Sequence, residues 1–226
     1  MELLSRLNFT AVFLNMLLVV LIAVIWKKTR NKKLSIGIPI LICFTLAMVT
    51  GFIYPLENLF VRFKSPESVF NYSTTGDIDM VVEGSESCMI VYSQAEEMRH
   101  LNVIFPRRTN GYIIPTLSAR EYSSCYHEES DGIYTWYQVY SLRNISDYYI
   151  KASMMPPFGG DEIQVVNNSY EVIGVLTRLS VETYFYDVGG SFYGDETFFY
   201  GYIDGSENDI NDIYVILDGE KTPIAR

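Results

Sequence analysis

The sequence predicts two N-terminal transmembrane α-helices followed by an all-β domain, an antiparallel sandwich or barrel-like fold held outside the cytoplasm. Three observations predict it. First, 226 residues with a formal charge of −10 still have a mean hydropathy of +0.11, so apolar residues must be concentrated somewhere. Second, the charges divide: residues 1–54 hold six basic residues against one acid, and 55–226 hold eleven against 26, so the two parts carry +5 and −15. Third, after Tyr72 the chain reads as short runs of β-branched and aromatic residues separated by turn residues. This pattern excludes a DNA binder and a polytopic transporter, and leaves residues 55–226 as one domain of ordinary size.

The apolar runs Leu7 to Trp26 and Leu34 to Tyr54 hold 20 and 21 residues without a charge. As helices each would reach roughly 30 Å, the depth of a bilayer's hydrocarbon core. Between them, Lys27, Lys28, Arg30, Lys32 and Lys33 crowd into seven residues. Such a cluster is retained in the cytoplasm, so it acts as a topology signal: loop 27–33 inside, both termini and residues 55–226 outside, and the protein multi-pass in the cell membrane. Cleavage as a signal peptide is the competing reading, although Ala47-Met48-Val49-Thr50-Gly51 is a weak site. Cys43 and Asn15 lie within the spans. Asn15 is compatible with an oligomer through a bond across helices.

Residues 55–72 are expected to be a connector and a short helix. Ser65-Pro66-Glu67 supplies an N-cap, a proline at the first helical position and an acid in the first turn, and the helix should end near Tyr72. Strands follow at 77–83, 87–92, 100–105, 112–114, 117–126 and 133–142. In the last of these Ile133, Thr135, Tyr137 and Val139 share one face, with Tyr134, Trp136, Gln138 and Tyr140 on the other. Further strands are expected at 148–153, 163–166, 172–176, 181–186 and 197–203. Residues 213–217, Asp218-Gly219 and 221–224 then read as a hairpin. Ile145 to Ile150 echoes Ile210 to Val215, which reads as shared turn-then-strand chemistry.

Two glycine-rich loops, 154–161 and 187–195, carry aromatics. With Tyr134 and Trp136, their Phe158, Phe192 and Tyr193 are candidate binding residues, since loops on a rigid sheet often form a recognition rim. Seventeen of 18 tyrosines lie in 55–226, and each buried phenol needs a partner, so several should be at the surface.

The catalytic alternative is a surface enzyme using Cys88 with His100 or His127, because an imidazole beside a thiol makes a thiolate nucleophile. Cys88 sits mid-strand, and no transpeptidase-type Thr-Leu-x-Thr-Cys strand is present. Cys88 and Cys125 could equally form a disulfide in an oxidising compartment. The zinc-protease spacing fails at His127, and residues 204–212 have calcium-like oxygen content without the EF-hand pattern. No metal and no cofactor is expected. Asn71, Asn144 and Asn167 begin glycosylation sequons.

Ser65-Pro66-Glu67-Ser68-Val69-Phe70-Asn71-Tyr72, the run Val82 to Tyr92, Gly111-Tyr112-Ile113-Ile114-Pro115, Ser146-Asp147-Tyr148-Tyr149 and the terminal hairpin at Asp218-Gly219 occur in this order. With these motifs, most of residues 60–226 resembles a family of small membrane-anchored proteins of Gram-positive bacteria to which no activity is assigned. Cys125 departs from that family's pattern. The resemblance implies an outer β-rich domain and carries no catalytic residue over. The function expected is non-enzymatic binding of an envelope or membrane partner, a protein or a glycan, with no nucleic acid. An accessory subunit of a membrane complex is a further alternative.

Overall fold

The computed structural model describes residues 17, 55, 58, 60–94, 97–115, 119–128, 134–155, 157–187, 191–217 and 219–224. These residues divide into two compact units, Met1–Thr75 with Thr109–Leu117, and Gly76–Arg108 with Ser118–Arg226.

The first unit contains helix α1 (Pro66–Ser73). Ser65 Oγ accepts from the Ser68 N–H and Ser68 Oγ accepts from the Ser65 N–H, a reciprocal cap that satisfies two donors the helix itself cannot. Val69 and Phe70 are buried, and the Phe63 and Tyr72 rings lie 5.1 Å apart. Phe63 pairs with Tyr112 through two backbone hydrogen bonds of 3.0 and 2.7 Å, and the Asn58 amide bridges both backbone groups of Ile114 at 2.8 and 2.9 Å. Gly111 makes the pairing possible: its φ is +128°, and a Cβ there would lie 2.2 Å from the Phe63 carbonyl oxygen.

Among its described residues the second unit is built of antiparallel strands, with one short 3-10 turn at Ile210–Asp212. In chain order the strands are β1 (Asp77–Glu83), β2 (Ser87–Gln94) and β3 (Glu97–Arg108), then, after the two-residue β4 (Gly111–Tyr112) of the first unit, β5 (Ala119–Glu128), β6 (Tyr134–Leu142), β7 (Asp147–Met155), β8 (Glu162–Val166), β9 (Val172–Asp187), β10 (Ser191–Asp204), β11 (Tyr214–Leu217) and β12 (Glu220–Pro223). Strands β1, β2 and β3 pair in that order, and the other eight form one sheet ordered β12-β11-β8-β9-β10-β7-β6-β5.

Side-chain alternation gives the large sheet two different faces. Tyr137, Val139, Ile150, Ala152, Met154, Ile163, Val165, Leu176 and Phe199 fill the main core on one. On the other, Leu142, Tyr149, Phe198 and Tyr200 meet Met89, Val91 and Ile104 of the small sheet, so two sheets enclose a second core. From Thr135 to Tyr140 the expected faces of β6 are the observed ones: Thr135, Tyr137 and Val139 are buried, and Trp136, Gln138 and Tyr140 only partly so; Ile133 and the Tyr134 side chain lie outside the described residues.

The strands expected at 172–176 and 181–186 are one strand, β9. A bulge interrupts its alternation: Arg178 pairs with Phe199 and Ser180 with Phe198, leaving Leu179 extra. Likewise most of the expected loop at 187–195 is strand, with Ser191 opposite Asp187 and Gly194 opposite Tyr184.

The all-β part of the expected fold class is present; its two transmembrane helices are corrected. Helix α1 has eight residues, about 12 Å against the roughly 30 Å a bilayer core requires. Among the described residues no helix is long and apolar enough to cross a membrane. The runs 7–26 and 34–54, apart from Leu17, and the basic residues 27–33 lie outside the described residues. The expected multi-pass placement, with 27–33 in the cytoplasm and 55–226 outside, is corrected with them.

Candidate functional site

Three polar constellations stand out in the larger unit, and their chemistry differs. The first ties the two sheets together. Asp147, completely buried at the start of β7, accepts from Ser85 Oγ at 2.8 Å, the Glu86 N–H at 2.9 Å, Ser87 Oγ at 2.6 Å and the Ser85 N–H at 3.3 Å. Because Ser87 Oγ donates to Asp147, the Tyr149 O–H donates to Ser87, 2.9 Å away. The β1–β2 turn thus closes on one carboxylate, and Gly84 allows the approach, since a Cβ there would lie 2.5 Å from Asp147 Oδ2. Burial pushes the Tyr149 phenol well above its usual range; the Ser87 hydrogen bond opposes this and the Asp147 charge adds to it. Burial also raises Tyr202, whose Oη accepts from the Ser85 N–H. Every atom of this knot has a structural use.

The second constellation has the outline of a hydrolytic triad. His100 Nδ1 lies 2.9 Å from Asp79 Oδ2, and His100 Nε2 lies 2.9 Å from Ser180 Oγ. The β9 bulge brings Ser180 there, because an unbroken alternation would turn it toward the main core with Leu176. However, Glu182 Oε1 lies 2.5 Å from the same Nε2. Each ring nitrogen thus has a carboxylate oxygen in contact, Asp79 at Nδ1 and Glu182 at Nε2. Ser180 Oγ therefore shares Nε2 with the nearer Glu182 oxygen, whereas a triad serine has that nitrogen to itself. The cluster is a polar bracket joining β1, β3 and β9, with the His100 ring edge-on to Phe198.

The third constellation is at the surface. The loop Asn167–Glu171 joins β8 to β9, with Asn167 Oδ1 accepting from the Ser169 and Glu171 N–H groups. Tyr170 then adopts φ +64°, a left-handed conformation that favours glycine or asparagine. Its side chain is 65% exposed. Lys221 Nζ, on β12, sits 4.3 Å from the Tyr170 ring centroid and 4.1 Å from that of Tyr214 on β11, and donates to the Asn168 carbonyl at 2.9 Å. Register places Lys221 opposite Ile216, Ile216 opposite Gln164 and Gln164 opposite Val175, so this cluster continues into a row across four strands. Gln164 and Val175 on that row are exposed. An aromatic side chain held in a strained backbone, next to a cation fixed between two rings, is suited to gripping a ligand.

The residues singled out from sequence fall elsewhere. Phe158 packs on the main core, edge-on to Phe199 at 6.1 Å, so it caps hydrophobic residues. Trp136 is half-buried on β6. The side chains of Tyr134, Phe192, Tyr193, Cys125 and His127 lie outside the described residues. Cys88 is completely buried and pairs with Phe105, five residues along β3 from His100, or roughly 17 Å at strand rise. The Cys88 thiol and the His100 imidazole are therefore too far apart to act together. In the calcium-like stretch, Asp204 accepts from the Ser206 N–H and Asp209 from both nitrogens of Asn211, so these carboxylates fix local turns. The Ser206 hydrogen bonds hold the Asp204 carboxyl below its ordinary value.

Tyr170, Tyr214 and Lys221 were not legible as a group. Asn167-Asn168-Ser169 signals a turn, but not that the next residue takes a left-handed backbone, and the pairing of β8 with β11 is not local. No protein-family model matches the chain, and comparisons with curated proteins and with solved structures return no match.

Proposed function

We propose that the protein is a recognition module, a β-sheet unit that binds a partner without performing chemistry on it. The exposed Tyr170, held at φ +64° against Lys221, is the observation that carries this reading. Folding alone favours glycine at that position, so the ring is there for what it presents. The neighbouring tyrosine and the mixed polar and apolar row extend the contact surface, and aromatic side chains with fixed donors are the usual anchors of recognition surfaces. The His100 bracket supports a non-enzymatic role, because Glu182 crowds the ring nitrogen that a Ser180 nucleophile would need.

The test immobilises the full chain and its Tyr170→Gly variant, and probes both with a panel of polysaccharides and a library of random peptides. At least one probe class should bind the wild type and lose about tenfold or more in affinity on the variant. Equal behaviour of the two proteins toward every probe overturns the reading.

A further inference from the structure

We propose that the Tyr170–Lys221–Tyr214 cluster is a binding site for a neutral carbohydrate chain. The inference rests on the recognition reading and specifies its ligand. Four observations point to a sugar. Tyr170 offers one ring face to Lys221, and its 65% exposure leaves much of the ring to solvent, a flat apolar platform for the C–H face of a pyranose. Lys221, held by the Asn168 carbonyl and by both rings, places a positive charge at the platform's edge, where the oxygen of a ligand hydroxyl can approach it. The row Lys221, Ile216, Gln164 and Val175 crosses four strands, roughly 14 Å at 4.8 Å per strand, and alternates donors with apolar contact as an oligosaccharide does. The cluster's surroundings are acidic: Glu171 holds Asn167, Asp212 holds Asn168, and the exposed Glu220 precedes Lys221, within a chain of charge −10. That field opposes uronic acids and phosphorylated polymers.

A peptide fits less well. Strand addition would use the outer edge of β12, the terminal strand of the sheet among the described residues, which has four residues and ends at Pro223, a residue without an N–H to donate. A stacked sugar needs no backbone ladder.

Affinity electrophoresis of the full chain in gels containing neutral polysaccharides (β-glucan, xylan, mannan), with polygalacturonate as the acidic control and the peptide library run in parallel, tests this. The expected result is retardation by at least one neutral polysaccharide. Retardation should weaken at least about tenfold in Tyr170→Gly, persist within about threefold in Tyr170→Phe, and fall in Lys221→Ala. Thermal melting of each variant separates loss of the site from loss of the fold, and Tyr170→Gly should melt no lower than wild type. Tyr170-dependent binding confined to peptides, or stronger for polygalacturonate than for every neutral polymer, overturns the carbohydrate assignment and leaves the recognition reading standing. Absence of any Tyr170-dependent binding overturns both.

Discussion

A tyrosine in the left-handed region costs about 1–2 kcal/mol relative to its ordinary backbone, and an exposed cation–π contact returns only about 0.5–1. At residue 170 the balance is unfavourable for folding, and relieving it has a definite sign. Tyr170→Gly is expected to raise stability by about 0.5 kcal/mol, after allowing for glycine's extra freedom in the unfolded chain, while removing ligand binding. Denaturant midpoints of the two proteins check the first half; a lower midpoint for the glycine variant would show that the ring contributes more to the fold than its exposure implies. Glu67 illustrates a residue whose role was visible beforehand. The Ser65 hydroxyl, and then its own backbone N–H, hold its carboxyl below the usual value against a small opposing effect of burial. Its contribution to α1 is therefore complete above the unfolded carboxyl value and disappears as pH falls through the lowered one. In acid titration followed by NMR, the Glu67 side chain should take up its proton at a lower pH in the wild type than in Ser65→Ala. No difference between the two would remove Ser65 as the cause.

At the scale of elements, the readable features were those encoded by neighbours in sequence. Ser65-Pro66-Glu67 started a helix as expected, and Ser65→Ala should cost about 1 kcal/mol of local stability by unsatisfying the Ser68 N–H, measured by amide exchange across α1. Period-two alternation gave the correct faces of β6, and Asp218-Gly219 located the last hairpin. Strand β9 was misread as two pieces because the bulge at Leu179 breaks the alternation there; a bulge is set by the partner strand, which the segment itself does not reveal. Phe158 shows a related effect. Its glycine and proline neighbours mark a loop, but the side chain turns inward to Phe199, a contact 41 residues away in sequence. The His100 bracket depends on the same bulge, joining residues 79, 100, 180 and 182 from three strands. A double-mutant cycle of His100→Ala with Asp79→Ala should return a coupling of about 1 kcal/mol, since the ring is largely buried. A coupling near zero would make the bracket a surface ornament.

For the molecule as a whole, what matters is how an acidic chain joins two sheets through a buried carboxylate. Asp147 gathers four donors from one turn of the opposite sheet, so removing it strands donors in a dry interface. Asp147→Ala should destabilise the larger unit by about 3 kcal/mol, and Asp147→Asn by less, because one oxygen remains to accept. The same interface sets an alkaline limit. Tyr149 and Tyr202 are held neutral beside Asp147, chiefly by burial, so their folded values lie above that of a free phenol. A raised acid is fully compatible with folding below its unfolded value of 10.0, and its contribution is lost as pH climbs beyond that toward the folded value. Stability should therefore fall with pH above about 10. Tyrosinate absorbance from these two phenols should appear together with loss of the β circular-dichroism signal. Tyr149→Phe should flatten that alkaline limb, even though it starts lower by about 1 kcal/mol for the lost Ser87 contact. If the variant kept the wild-type slope, the two-sheet interface would not be the element that gives way in base, and the case for Asp147 as its anchor would fail with it.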